Sequence, residues 1–333
     1  MNQYFTEVEL ADYKWKLDYS NKILFLGSCF TENIGGKMAE LNFQTLINPF
    51  GIVYNPMSVA NSLQALVEKR AYTEADLFEQ SGQWGSYDFH SRYSGSSAEE
   101  TLTKINKQVE CGHQFLLDAD YVIITFGTAW VFDLKETGKV VANCHKSPAS
   151  DFIRYRLTLE EIVERFRDLL TVLLKFNSKL KFVFTVSPIR HLKDGASGNQ
   201  LSKSTLLLAV DQLVKSYGKE CCSYFPSYEI VMDELRDYRF YAADLVHLSP
   251  VAVDHIWLKF QQSLIDKKSI ELMAKISKIR KAINHKPFRK DAPEYSIFLT
   301  QNMKKIKELT INFPYLNLQN EKEYFQKELN GCK

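Results

Sequence analysis

Residues 22–35 read KILFLGSCFTENIG: an apolar run stops at Gly27, a hydroxyl and a thiol follow side by side, and a helical pattern begins. Lys22–Leu26 is nearly continuously apolar and too short for a helix. That is how a strand buried on both faces of a parallel sheet reads. Tyr121–Phe126, Lys181–Val186 and Cys221–Phe225 have the same character. Helical patterns lie between these runs. Ser58–Lys69 sets Val59, Leu63, Leu66 and Val67 on one face, and Thr101–Leu117 is a long candidate. Thr158–Phe176 opens on a capping box, with Thr158 as N-cap and Glu161 three residues on. Ser202–Tyr217 groups Leu206, Val210, Leu213 and Val214. Strands alternating with helices in this way predict a three-layer α/β/α sandwich around a mostly parallel sheet.

Two segments break the rhythm. Trp130–Cys144 holds two extended runs around Glu136-Thr137-Gly138-Lys139, which predicts a hairpin beside the sheet. Ser81–Ser97 is rich in Gly, Ser and aromatics and reads as a long loop, with Trp84, His90, Arg92 and Tyr93 as its chemical groups. From residue 266 the pattern becomes basic and helical: Lys267–Asn284, then a linker with two prolines at 285–295, then shorter helices near 297–310 and 320–330. The expected organisation is an α/β domain over residues 1–265 and a basic helical C-terminal extension over 266–333.

The 333 residues carry a net charge of +2, so no global field attracts nucleic acid or membrane. The charge is uneven. Residues 266–333 hold fifteen Lys and Arg against eight Asp and Glu, or +7, which leaves −5 on the rest. A solvated helical face is the usual meaning of such a run, and a partner-binding surface is the other. Six cysteines with no CxxC pair make no disulfide framework and point to a reducing compartment. The first residues lack a basic-then-apolar signal pattern, and no apolar stretch approaches membrane-spanning length. A cytoplasmic protein is expected. The sequence carries no indication of oligomeric state.

In an open α/β sheet, ligands bind beyond the carboxyl ends of the strands, so the residues after each strand hold the chemistry. They are Gly27-Ser28-Cys29, the Asn48-Pro49-Phe50-Gly51 turn, Gly127-Thr128-Ala129-Trp130 and Ser187-Pro188-Ile189-Arg190-His191. Near the end of the domain, Asp244-Leu245-Val246-His247 precedes Ser249-Pro250, which suit the N-cap and first position of a helix. An Asp three residues before a His can accept the imidazole Nδ1–H and leave Nε2 as a base.

This pairing resembles the SGNH (GDSL-type) hydrolase superfamily, whose first block is Gly-Asp-Ser after strand one and whose last is Asp-x-x-His before the final helix. GSCFTENIG, with SPIRH and DLVH, resembles more specifically the GSCFA family, with Thr31 where that name has Ala. The resemblance covers roughly residues 20–262 and implies an SGNH-hydrolase-like fold. In register, Cys29 takes the nucleophile position and Ser28 that of the aspartate. Gly51 would give a backbone N–H to the oxyanion. Gly127-Thr128-Ala129-Trp130 matches the Gly-x-Asn-Asp block, so the asparagine donor is Ala129 here. Losing one such donor typically costs about 2.7–4 kcal/mol of transition-state stabilisation. Thr128 or the Trp130 indole N–H are the available replacements.

A helix N-terminus stabilises thiolate and can bring a Cys pKa from about 8.5 into the range of roughly 3.5–7.5. Ser28 gains less, and stands as second candidate nucleophile or as helix cap. The bland alternative is a packed thiol beside a cap. His145 and Lys146 at the hairpin end are expected to line the cleft or to be a solvated turn. Arg190 is suited to a carboxylate or phosphate, and His191 follows it. No metal-ligand spacing and no phosphate loop is present, so neither metal nor cofactor is implied. The expected function is hydrolysis or transfer of an ester or acyl group on a small molecule or acylated carbohydrate, through Cys29 or Ser28 with His247 and Asp244. The alternative is a non-catalytic binding module on the same fold. A weaker third reading has the basic tail recruiting a partner.

Overall fold

A computed structural model describes residues 6–331. Met1–Phe5, at the start of the segment read for a signal pattern, and Cys332, one of the six cysteines, lie outside the described residues. In chain order the elements begin β1 (Lys22–Gly27), α1 (Cys29–Glu40), β2 (Gln44–Ile47) and α2 (Pro56–Val67). The short β3 (Phe78–Gln80) and β4 (Gln83–Gly85) precede α3 (Ala98–Asp118) and β5 (Tyr121–Phe126). Then come β6 (Trp130–Leu134), β7 (Lys139–Val140), β8 (Phe152–Arg156), α4 (Leu159–Phe176), β9 (Lys181–Val186), α5 (Gly195–Tyr217) and β10 (Cys222–Tyr224). The chain closes with α6 (Ser227–Glu229), running on as a π turn over Ile230–Glu234, then α7 (Pro250–Leu264), α8 (Lys267–Ile283), α9 (Pro293–Asn312) and α10 (Gln319–Gly331).

Five strands form the central sheet in the order β10-β9-β5-β1-β2, every pair parallel. The alternation within β1 shows why it lies near the middle. Ile23 and Phe25 pack under α1 and α7, while Leu24 and Leu26 face the layer of α2, α3, α4 and α5. Both faces of the strand are thus buried, as in other parallel sheets whose crossovers are helices. The fold is a three-layer α/β/α sandwich. The apolar layer beneath α1 and α7 continues through Met273 and Ile276 of α8 and Leu299 and Ile306 of α9 to Phe325 of α10.

β2 escaped the sequence reading because QTLI is half polar, and its residues are half-buried at the sheet edge. The expected hairpin exists as β6 and β7, but β8 joins it as a third antiparallel strand. Its sequence FIRYR carries two arginines and alternates too weakly to stand out. The segment 81–97 is more structured than the loop expected of it. β4 pairs with β3, Trp84 bridges Gly95, and Ser91–Tyr93 forms a single 3-10 turn. Thr158 and Glu161 make the reciprocal capping box that opens α4.

The strand order fixes where a ligand can bind. β1 is followed on one side by β2 and on the other by β5, so the connections leave in opposite directions. The crevice between the carboxyl ends of β1 and β5 is therefore the topological switch point. Cys29 stands there.

Candidate active site

Gly27 ends β1 with φ +139°, and a Cβ on it would lie 2.2 Å from the carbonyl oxygen of Thr125 on β5. Only glycine lets the two strands approach this closely. Ser28 N–H then donates to Thr125 O at 3.3 Å, and Gly27 N–H donates to Asn48 Oδ1 at 2.9 Å. The turn into α1 is thereby tied to both neighbouring strand ends. Ser28 holds the N-cap position, but its side chain caps nothing. The hydroxyl is buried and has no hydrogen-bond partner among the described residues, which bears against both the capping role and easy attack on a substrate.

Cys29 is the first residue of α1 and half-buried. Its own N–H and that of Phe30 lie against the sulfur and favour thiolate. Burial outweighs them and pushes the thiol above its ordinary value, with Glu32 adding to the rise and Lys203 opposing it. The helix end alone therefore does not hold a thiolate, contrary to the expectation from sequence, because the sulfur loses more hydration than two amide dipoles restore. Glu32 is paired with Arg92, which the 81–97 segment brings over α1.

The resemblance implied a backbone N–H from Gly51 for the oxyanion. Gly51, at φ +79°, donates its N–H to Asn48 O at 2.7 Å, and a Cβ there would sit 2.2 Å from His90 Cβ. Gly127 and Thr128 give their N–H groups to Tyr54 O at 2.7 and 3.1 Å. None of these three amides is free in this arrangement. The remaining backbone donors at the sulfur are those of Cys29 and Phe30. Asn48, in the β2–α2 turn, holds a buried Nδ2 with no hydrogen-bond partner among the described residues. Thr128 Oγ1 accepts from Trp130 N–H at 3.1 Å and lies 3.2 Å from Ser202 Oγ, which itself accepts from Ala129 N–H at 2.7 Å. The Trp130 indole N–H is buried and has no hydrogen-bond partner among the described residues, and the guanidinium of Arg154 stacks over its ring at 4.4 Å.

In the loop before α7, Asp244 Oδ1 accepts the N–H groups of Val246 and His247, both at 2.9 Å. Its Oδ2 accepts His247 Nδ1–H at 2.6 Å. That bond, first, and the two amides hold the Asp244 carboxyl down at about 2. With Nδ1 occupied as donor, Nε2 is the available base. The pair is exposed, at 60% for His247 and 51% for Asp244. Among the described residues no hydrogen bond joins His247 to Cys29 or Ser28. His191 is placed by the loop after β9. The His191 ring meets that of Tyr54 edge-on at 5.7 Å, and the imidazole feels the charges of both Lys203 and His247. Burial, first, and Lys203, next, push His191 down to about 4. Tyr54 in turn feels Cys29 and Glu32.

The other predicted residues are placed as follows. Arg190 is half-buried, donates to Met232 Sδ at 3.3 Å, and makes no ion pair among the described residues. His145 is half-buried, with Nε2 2.9 Å from both Ser86 O and Phe89 O. Two backbone carbonyls thus hold it in place beneath the 81–97 segment. Lys146 beside it is exposed. Among the described residues no group of three or more His, Cys, Asp or Glu is disposed to hold a metal ion. No described helix is long and apolar enough to cross a membrane.

Sequence reasoning missed Lys203. It is fully buried on α5, and its Nζ donates to Gly127 O at 2.5 Å and Ser187 O at 2.6 Å, joining the loops after β5 and β9. The signal was present. Lys203 falls in helical register with Leu206, Val210 and Leu213, so a cation sits on the stripe that faces the sheet.

Fold and site together define a parallel α/β protein with a cysteine-bearing strand-to-helix turn and an Asp–His turn at the same end of its sheet. The sequence profile of the GSCFA family matches residues 22–260, and that of the GSCFA domain protein C-terminal domain matches 276–331. The chain belongs to the GSCFA family. Among curated proteins no sequence match is found. Among solved structures, the chain is similar to an acetyl xylan esterase from the rumen bacterium Butyrivibrio proteoclasticus. That match has a TM-score of 0.38 and 13% identity, over 73% of this chain and 64% of that one.

Proposed function

We propose that this protein is an SGNH-like enzyme that breaks or transfers an ester or acyl group on a small molecule, acylated carbohydrates included. The observation that carries the reading is the half-buried Cys29 at the switch point, with two first-turn amides against its sulfur. Cys29 passes its thiol proton through solvent to His247 Nε2 and attacks the acyl carbonyl, and the oxyanion forms beside the N–H groups of Cys29 and Phe30. The leaving alkoxide takes a proton from His247, whose imidazolium is stabilised by Asp244. Neutral Nε2 then removes a proton from the water or acceptor alcohol that clears the thioester. Arg190 and His191 flank the acyl-bearing group. Ser28 supports the turn and is not the nucleophile.

Intact-protein mass spectrometry with a panel of activated esters tests this. A thioester adduct on the wild type that is absent from Cys29→Ala, with catalytic turnover lost in the same variant, is the expected result. Equal acylation and equal turnover of both proteins would sink it. The binding-module alternative is favoured by Ala129, which removes a donor, and by the missing hydrogen bond between His247 and Cys29. Saturable binding of an ester with no turnover would decide for it.

A further inference from the structure

The proposed chemistry needs a thiolate, yet burial works against one at Cys29 and the Asp244–His247 pair makes no hydrogen bond to it. Another charge stands closer to the interior. Lys203 projects from α5 to the carboxyl end of the sheet, where its Nζ is held by Gly127 O at 2.5 Å and Ser187 O at 2.6 Å. Gly127 directly follows β5, the strand hydrogen-bonded to the turn that carries Cys29. A fully buried ammonium is costly unless it is partnered. Two neutral carbonyls satisfy two N–H bonds but do not neutralise the charge, and among the described residues Lys203 has no carboxylate partner.

We propose that Lys203 is the buried charge partner of Cys29: while protonated it holds the thiolate at the end of α1, and on losing its proton it releases that hold. The proposal rests on the reading of Cys29 as a nucleophile and assigns the control of its ionisation. The stoichiometry of the amine fits. As a neutral amine, Nζ has two N–H bonds for its two carbonyls and one lone pair. When Cys29 loses its proton and Nζ gains one, the third N–H bond forms where that lone pair was, charge is conserved, and the buried ammonium acquires an anion. The exchange is an equilibrium through solvent and needs no direct contact.

The surrounding charges act on this pair from several elements. Lys203 faces Cys29 from α1 and Arg190 and His191 from the loop after β9. Cys29 also faces Glu32 on its own helix and Tyr54 from the β2–α2 turn. Burial first, with Arg190 also opposing its charge, brings Lys203 down to about 7, while Cys29 alone supports its charge. The lysine thus changes charge in the physiological range.

Alkylation of Cys29 by iodoacetamide, read on its own peptide by mass spectrometry from pH 6 to 9, tests the coupling, with exposed Cys111 as internal reference. In Lys203→Met the Cys29 rate should fall about five- to tenfold at pH 6, where wild-type Lys203 is charged, and less than twofold at pH 9. A merely structural role for Lys203 gives a ratio that does not change with pH, and that result overturns the proposal. Should Lys203→Met fail to fold, Cys29→Asp fixes a carboxylate at the same place. The Lys203 titration, followed by its 13Cε resonance, should then rise by at least one pH unit, and an unmoved titration overturns the proposal. Both readouts are independent of turnover. A pH-dependent ratio without ester turnover keeps the coupling and removes the proposed function, and turnover with a constant ratio does the reverse.

Discussion

The Cys29 turn and the Asp244–His247 turn flank the same end of the same sheet, and they are held in opposite ways. The first is frozen. Gly27 and Ser28 bond to β5 and to Asn48, Val53 N–H returns to Gly27 O at 3.1 Å, and Thr31 Oγ1 meets Thr125 Oγ1 at 2.7 Å. The second is a surface turn ordered by short-range bonds: Asp244 accepts two backbone amides and the imidazole from residues within three positions of itself, Ala242 N–H donates to His247 O at 2.7 Å, and Tyr241 bridges Leu248. The Cys29 half is therefore positioned by the fold, and the Asp244–His247 half by local sequence. Changes in the first should alter stability before chemistry, and changes in the second should alter chemistry with little effect on stability.

Gly27→Ala is the largest way to break the contrast. A Cβ 2.2 Å from a backbone oxygen cannot be relieved by a side-chain rotation, so β1 and β5 must part. The expected loss is about 4 kcal/mol or more, in the range reserved for strained or clashing positions. Equilibrium denaturation checks it, and wild-type stability would show that the strand approach is not as tight as described. His247→Ala should do the reverse. Stability should stay within roughly 0.5 kcal/mol, as at other exposed sites, while ester turnover falls about 10²–10⁴-fold. Unchanged turnover would remove His247 from the mechanism.

The same contrast explains what the sequence disclosed. The turn at Gly27 was legible because a buried parallel strand leaves a continuous apolar run and stops at a glycine. The Asp244–His247 pair was legible because a three-residue spacing is local and the hydrogen bond it permits is the one found. What failed was non-local. β2 and β8 are half-buried strands whose pairing is set by partners far along the chain. The engagement of Gly51 N–H by Asn48 and of Gly127 and Thr128 by Tyr54 depends on loop conformation, which register against a motif does not encode. The balance at Cys29 required a burial that a helix-end argument cannot supply. Lys203 lay on its apolar stripe in plain view, but a lysine in a helix is ordinarily a solvated one.

His191 sharpens the comparison by pH, because it belongs to the frozen half. Its folded-state value near 4 lies below the ordinary value of 6.5, so the unfolded chain binds its proton first as pH falls. The stability associated with a neutral His191 is present above about pH 6.5 and is lost as pH drops toward 4. Wild type should lose on the order of 1–3 kcal/mol more than His191→Phe between pH 7.5 and pH 4.5. Parallel pH–stability curves for the two proteins would place His191 in a more solvated setting than its contact with Tyr54 implies.

The smallest expected effect, and the sharpest on the exposed half, concerns Leu245 between Asp244 and His247. Its φ of +58° lies in the left-handed region, its N–H donates to Ala242 O at 2.9 Å, and its side chain is exposed. A left-handed L-residue costs roughly 1–2 kcal/mol, which glycine avoids at the expense of a more flexible unfolded chain. Leu245→Gly should therefore change stability by less than about 1 kcal/mol and turnover by no more than a few fold, since the carboxylate–imidazole bond is untouched. Leu245→Pro cannot adopt this φ and removes the N–H, so the turn that aims His247 is lost. Its stability cost should stay modest, because little else packs on the turn, while its turnover should fall toward that of His247→Ala. Full turnover in the proline variant would mean that the geometry of this turn does not direct the chemistry, and the division between a Cys29 turn set by the fold and an Asp244–His247 turn set locally would lose its bearing on function.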